Sequence, residues 1–149
     1  MSKNLLYRLF GLRKLPAETR ERLQREGIVF DEEGTSCALA YKNFRGKRKS
    51  SGRGWESGVA GSLVISNRTF YVQLPYMIIC DKPVEEAVKH IRLELQGSGK
   101  LVMDFDVENI IEDSSGGLTC YWRTINADVI FRYLQNMQSQ NTATISSNE

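Results

Sequence analysis

The sequence predicts an α+β protein that is mainly β, with about seven antiparallel strands between an N-terminal helical extension and a C-terminal helix. The first observation is the spacing of apolar residues, which follows a helical period of about 3.6 before Gly27 and again after Thr124. The second is the alternation of apolar and polar residues through most of the intervening segment. The third is that short turn sequences separate the alternating segments, which favours antiparallel hairpins.

The composition predicts a single globular domain. The chain has 149 residues, of which 41% are hydrophobic and 26% are charged, and these values exclude wholesale disorder and fibrous classes. Charged residues interrupt every apolar segment before it reaches the roughly 20 residues of a membrane-spanning helix. The N-terminus lacks the apolar core and cleavage site of a secretory signal. We therefore expect a cytoplasmic protein without a transmembrane segment, with peripheral attachment to a membrane as an open alternative.

Residues 1–27 form the predicted N-terminal helical extension. In residues 3–14, apolar side chains gather on one side of a helix and basic side chains lie largely elsewhere, which predicts a short basic amphipathic helix. Pro16 suits the first turn of a second helix, and Gly27 suits its end. We expect the apolar side of the first helix to pack on this protein's own sheet or on a second copy, with anionic lipid as the alternative.

Residues 28–137 form the predicted domain. Alternation places the strands near residues 37–42, 63–65, 70–74, 76–80, 91–95, 101–107 and 118–122. Asn67 and Arg68 predict a tight turn between the second and third strands. The segment 45–58 is rich in glycine, serine and charge, so we expect a long basic loop there. The polar connection 81–89 is expected to contain a helical turn.

The sequence after Thr124 predicts the C-terminal helix. Thr124 or Asn126 can cap it, and Asp128 suits its first turn. Its apolar stripe consists of Val129, Ile130, Tyr133, Leu134 and Met137. Because so small a sheet would expose its interior, we expect it to bend into a barrel whose open end this helix covers. Residues 138–149 contain too little apolar surface to pack and are expected to be a disordered tail.

The charges are distributed unevenly along the chain. Lysine and arginine total 20 and aspartate and glutamate total 18, so the formal net charge is only +2. Most acids lie in the second half, and such a dipolar surface can orient a protein against an anionic partner. The segment 42–53 has no acid and contains the candidate residues for binding an anionic ligand or membrane: Lys42, Arg45, Lys47, Arg48, Lys49 and Arg53. Trp55 joins them, because its ring could enter a membrane interface or a partner, or pack over the barrel mouth.

Two segments resemble known proteins. The segment 61–83, GSLVISNRTFYVQLPYMIICDKP, resembles the pattern of GRAM-type domains, in which a glycine opens a strand and a turn leads to a second strand that ends near a proline. The segment 41–66, YKNFRGKRKSSGRGWESGVAGSLVIS, more closely resembles a group of uncharacterised small proteins with a basic loop that ends in a tryptophan. Residues 28–137 therefore resemble the pleckstrin-homology-like (PH-like) superfold, an antiparallel barrel of about seven strands capped by a C-terminal helix.

The resemblance implies a role for the basic loop. In phosphoinositide-binding members of the superfold, lysines and arginines between the first two strands hold inositol phosphates, and the candidate cations occupy that loop here. The second strand departs from the pattern, because GSLVISN contains no cation before Arg68. The closer group carries no established activity. The basic loop therefore has three alternative roles: specific phosphoinositide binding, weak attraction to anionic surfaces, or simple solubility.

The residues available for catalysis or metal binding form no recognisable site. The three cysteines form no CxxC pair, and His90 has no second histidine, so we expect no structural metal and no cofactor. No serine-centred elbow or glycine-rich phosphate loop is present. Asp104 and Asp106 share one face of a strand, which the polar face of an amphipathic strand explains without chemistry.

The resulting hypothesis is a non-enzymatic binding or interaction module that docks on a protein partner or an anionic lipid surface through the basic loop. The alternative is a small ligand carrier or enzyme that uses the barrel mouth. Nucleic acid is disfavoured because the domain is barely basic and its strands carry many acids. A homodimer through the N-terminal helices stays open, although no heptad pattern requires it.

Overall fold

The computed structural model describes residues 15–45, 50–75, 77–111 and 113–147. Within these ranges the protein is mainly β, with seven antiparallel strands in one curled sheet, a helix before the sheet and a long helix after it. The predicted fold class is therefore confirmed. The amphipathic helix expected over residues 3–14 lies outside the described residues.

The elements follow one another along the chain and form a simple sheet. In chain order they are α1 (Ala17–Glu26), β1 (Ile28–Arg45), β2 (Ser50–Ser66), β3 (Thr69–Leu74), β4 (Met77–Pro83), α2 (Val84–Ala87), a 3₁₀ turn (Val88–His90), β5 (Ile91–Gln96), β6 (Lys100–Asp106), α3 (Val107–Ile110), β7 (Ser115–Arg123) and α4 (Ala127–Ser147). The strand order across the sheet is β4-β3-β2-β1-β7-β6-β5. Strand β1 is therefore central, and β4 and β5 are the edges.

The concave face of the sheet and one side of α4 enclose the hydrophobic core. The alternating apolar residues of the strands point inward, as the sequence predicts. The fully buried members include Leu39, Leu63, Phe70, Leu101, Met103, Leu118 and Trp122 from the strands, with Ile130 and Leu134 from α4. Helix α4 thus supplies the apolar surface that the open side of the curled sheet needs.

The prediction of a loop over residues 45–58 is wrong for residues 50–58. Strand β2 begins at Ser50, and its pairing with β1 extends to the pair Arg45 and Ser50. The far end of β1 is held on its other side by β7, whose Ser115 pairs with Arg45. The glycines and serines of this segment favour a loop, but pairing on both sides of β1 holds the backbone extended. The sequence of β2 alone does not reveal this pairing.

The expected disordered tail also differs from the structure, because α4 continues to Ser147. The side-chain amide of Gln138 donates hydrogen bonds to the carbonyls of Val88 and Ile91, at 2.9 and 2.8 Å. The amide of Asn141 donates to the carbonyl of Glu85 at 2.6 Å. The low hydrophobicity of residues 138–149 predicted disorder, but polar contacts from Gln138 and Asn141 attach the beginning of this segment to the α2 region.

Helix α1 packs on the convex, outer face of the sheet over β2 and β3. Its Leu23 is fully buried against Val64 and Tyr71, which point away from the main core. Pro16 precedes the helix and Gly27 follows it with φ 91°, so both predicted boundaries are confirmed. The second predicted helix of the extension therefore belongs to the folded body.

Two arginines on α1 fix the helix to the sheet. Arg22 makes two hydrogen bonds to the Asp81 carboxylate on β4, at 3.0 and 2.8 Å. Arg20 pairs with Asp31 at 2.8 Å and also with Glu33 on β1. One guanidinium nitrogen of Arg22 donates to both Asp81 oxygens, whereas Arg20 uses separate nitrogens for Asp31 and Glu33. The helix is thus tied to both sides of the β2–β3 hairpin.

A bulge in β1 places a buried carboxylate at the start of α4. The register of β1 against β2 shifts between Glu32 and Thr35, and Gly34 adopts φ 72° within the shift. The Glu32 carboxylate accepts hydrogen bonds from Thr124 at 2.7 Å, Asn126 at 2.8 Å and Thr35 at 3.2 Å. Both residues predicted to cap α4 are therefore held by β1.

The core leaves no room for a side chain at Gly61. A Cβ atom there would lie 2.9 Å from two ring atoms of the fully buried Trp122. We predict that Gly61→Ala destabilises the fold by about 1–3 kcal/mol, because overpacking forces the indole or the backbone to move. Chemical denaturation measures this effect.

Gly54→Ala is the matched control on the same strand. A Cβ at Gly54 would meet its nearest neighbour, a ring atom of Tyr41, at an ordinary 3.5 Å. We expect the stability of this variant to equal or exceed that of the original chain. Equal stabilities for the two variants would contradict the tight packing at Trp122.

Candidate functional site

The outer face of the sheet has two halves. Helix α1 covers the half formed by β2 and β3. In the other half, where β2 begins and β1 pairs with β7, the outward side chain of Trp55 is 58% exposed. Large aromatic side chains with this exposure are common at interaction surfaces, which makes Trp55 the centre of the candidate site.

Trp55 contacts Tyr121 across β1. Trp55 pairs with Ala40 on one side of β1, and Tyr121 pairs with Ala38 on the other. The two ring centroids lie 5.2 Å apart with an interplanar angle of 54°. Because Ala38 and Ala40 are small, the rings meet above the central strand. The ring of Trp55 therefore rests on the outer face instead of closing the barrel mouth.

A groove of about 220 Å³ lies beside this aromatic pair. Ser36, Cys37 and Ala38 of β1 form its floor. Ser57 and Gly58 line it as well, at a second register shift where β2 has extra residues opposite Ala38. Its taller lining side chains are Trp55, Tyr121, Lys100 and Arg123. The groove therefore combines an aromatic side with a cationic side.

The cationic side consists of two like charges in adjacent strands. Lys100 of β6 pairs directly with Arg123 of β7. Like charges at directly opposed positions of a sheet repel each other. Among the residues that the structure describes, no acid forms an ion pair with either of them. Their charges are therefore available to an anionic group from outside.

The sequence-predicted cations lie on the other side of Trp55. Lys42 and Arg45 are exposed near the end of β1, and Lys42 shares the outer face with Ala40. Arg53 lies in β2, where its backbone pairs with Lys42. Lys47, Arg48 and Lys49 lie outside the described residues. The structure thus brings Trp55 into the same surface as Lys42 and does not test the rest of the set.

Sequence reasoning missed Tyr121, Arg123 and Lys100. The alternation of β7 did assign Tyr121 and Arg123 to the polar face, because Cys120 and Trp122 point inward. It could not show that this face adjoins Trp55, because residues 55 and 121 are on strands that become neighbours only by pairing with opposite sides of β1. The missing information was the strand order, which is a long-range property.

Acidic residues occupy the same face farther from the groove. Asp104 pairs with Thr119, whose hydroxyl donates to the Asp104 carboxylate at 3.3 Å. Asp106 lies 3.8 Å from the His90 imidazole, at the edge of the sheet. His90 therefore has a carboxylate neighbour. Within the described part of the chain, no group of three potential metal ligands occurs.

Two further findings come from comparisons with known proteins and from the lengths of the helices. No family model matches this chain, and no curated protein or solved structure is significantly similar to it. None of the described helices has the length and apolar character needed to cross a membrane.

The three cysteines are all free and buried. Burial raises the pKa of the Cys80 thiol to about 12. Burial, together with a hydrogen bond to Cys37, raises the pKa of the Cys120 thiol well above its usual value. A raised thiol pKa lowers the fraction of reactive thiolate at neutral pH.

We predict that a thiol reagent such as DTNB reacts with the native protein only as fast as local or global unfolding exposes the buried thiols. All three thiols should react within the mixing time after denaturation. Absorbance at neutral pH measures both rates. Rapid labelling of one thiol per native chain would contradict this assignment and would identify a reactive cysteine.

Proposed function

We propose that this chain is a non-enzymatic binding module that docks on a protein partner or an anionic membrane surface through the outer face around Trp55 and the basic segment 42–53. The observation that carries the proposal is the exposed Trp55, which contacts Tyr121 beside cations that have no acidic partner among the described residues. Tryptophan, tyrosine and arginine are the residue types that contribute most to binding at interfaces.

The proposed fold relationship is to the PH-like superfold. The curled sheet of seven antiparallel strands followed by a long C-terminal helix is the arrangement that the resemblance of residues 28–137 implies. In that relationship, β1 and β2 and the segment between them correspond to the basic loop region. We further propose a cytoplasmic location, with peripheral attachment to a membrane where the partner surface is lipid.

The packing favours docking over a carrier that uses the barrel interior. Trp122, Phe44 and Met103 fill the space between the sheet and α4. The contact between Gly61 and Trp122 is too close to accept even one methyl group without movement. Ligand cavities usually measure about 300–1,000 Å³. Two open depressions of about 660 and 620 Å³ lie at the surface, one lined mainly by β5 and β6 and the other by β4 and α3. The packing therefore disfavours a ligand in the interior and does not exclude one at the surface.

Co-sedimentation with liposomes tests the membrane form of this proposal. The purified chain is mixed with neutral vesicles, with vesicles containing phosphatidylserine and with vesicles doped with phosphoinositides, at low and at physiological salt. The test variant is Lys47→Glu/Lys49→Glu. The control variant is Arg25→Glu/Lys89→Glu, which changes the net charge equally at exposed positions of α1 and of the 3₁₀ turn.

We predict that the test variant binds anionic vesicles at least about 30-fold more weakly, because each basic residue near such a surface contributes about 1 kcal/mol and the introduced glutamates add repulsion. The control variant should bind as the original chain does. Equal loss in both variants would show that net charge alone drives association, which contradicts docking through the basic segment. Absence of binding to every vesicle would exclude the membrane form and leave a protein partner.

A further inference from the structure

We propose that the groove beside Trp55 binds a short acidic segment of a partner protein. One large apolar or aromatic side chain of that segment inserts against Trp55 and Tyr121, and its carboxylates lie against Lys100 and Arg123. This inference rests on the proposed function, because it identifies the partner of the docking surface.

The size of the groove indicates a single inserted side chain. Its volume of about 220 Å³ is below the range of about 300–1,000 Å³ that is usual for sites that enclose a small molecule. The small side chains of Ser36 and Ala38 give it depth, and Trp55 and Tyr121 give it an apolar wall. Interfaces commonly place one anchor residue in such a pocket.

The charge arrangement indicates that the segment is acidic. Lys100 and Arg123 repel each other across β6 and β7, and an incoming carboxylate would remove that repulsion. Arginine can bind a carboxylate through two parallel hydrogen bonds, which also fixes the direction of the bound segment. The cations therefore complement an acid that lies next to the anchor.

The strand geometry gives the spacing between anchor and acid. Tyr121 and Arg123 are two residues apart on β7, which is about 7 Å along an extended strand. Residues two positions apart in an extended peptide have the same separation. The expected recognition pattern is therefore a large apolar residue with Asp or Glu two positions away.

The neighbouring acids favour a short segment over an extended polyanion. Asp104 and Glu94 are on β6 and β5, in positions that share the outer face with Tyr121, and Arg92 of β5 lies on the same face opposite Asp104. A flat anionic membrane or a nucleic-acid backbone that covered this face would meet these carboxylates together with the cations. A segment that lies only in the groove avoids them, so charge complementarity favours a peptide.

Selection from a random peptide library displayed on phage tests the inference, with the full chain as bait at physiological salt. The most enriched sequence is then synthesised with a fluorescein label. Fluorescence anisotropy measures its affinity for the original chain, for Trp55→Ala, for Lys100→Glu/Arg123→Glu and for the control Arg25→Glu/Lys89→Glu. Circular dichroism and thermal melting establish that each variant is folded.

The inference predicts enriched peptides with an acid two positions from a large apolar residue. Binding should weaken at least tenfold in Trp55→Ala and in the charge-reversed double variant, and it should be unchanged in the control. A peptide whose acids are replaced by lysine should bind the charge-reversed variant better than the original chain. That exchange would show direct charge pairing, which a merely structural effect of the substitutions would not produce.

Three outcomes would overturn the inference. They are failure to enrich any peptide, enrichment of peptides without acids, and equal binding by the original chain and the two groove variants. If vesicles bind while acidic peptides do not, the inference fails and the membrane form of the proposed function stands. If neither probe binds, the inference and the membrane form both fail, and docking on a protein partner of another kind is the form of the proposed function that is left.

Discussion

Pairing on both sides of β1 is the constraint on which the rest of the structure depends. Strand β2 pairs with β1 along nearly its whole length, and β7 pairs with its second half, from Cys37 to Arg45. The bulge between Glu32 and Thr35 lies just beyond the end of the pairing with β7 at Cys37. The buried Glu32 carboxylate holds the residues that start α4, so the same strand sets both the curvature of the sheet and the position of its C-terminal helix.

This arrangement also decides which part of the outer face is exposed. Asp31 and Glu33, at the bulge, bind Arg20 and so hold α1 over the first half of the sheet. The second half carries Trp55 and Tyr121, which meet over the small residues of β1. The exposed surface is therefore a consequence of how the helix is attached, and the two halves of β1 have separate roles.

Local patterns predicted most of the fold, and long-range contacts account for the rest. Alternation identified the hairpin of β5 and β6, because each strand pairs with its immediate neighbour in sequence. The start of β2 was missed because its extended shape depends on β1 and β7. The last turns of α4 were missed because Gln138 and Asn141 act through backbone carbonyls of a distant segment. For the candidate site, the sequence identified Trp55 but could not place Tyr121, Arg123 and Lys100 beside it.

The exposed face around Trp55 is the proposed binding surface. The chain has two tryptophans, one exposed at residue 55 and one fully buried at residue 122, so fluorine NMR of protein labelled with 5-fluorotryptophan gives a direct test. Trp55→Phe assigns the two resonances. When the selected acidic peptide is added, we predict that the Trp55 resonance shifts to saturation while that of Trp122 stays in place. An unchanged Trp55 resonance at full peptide occupancy would contradict the account.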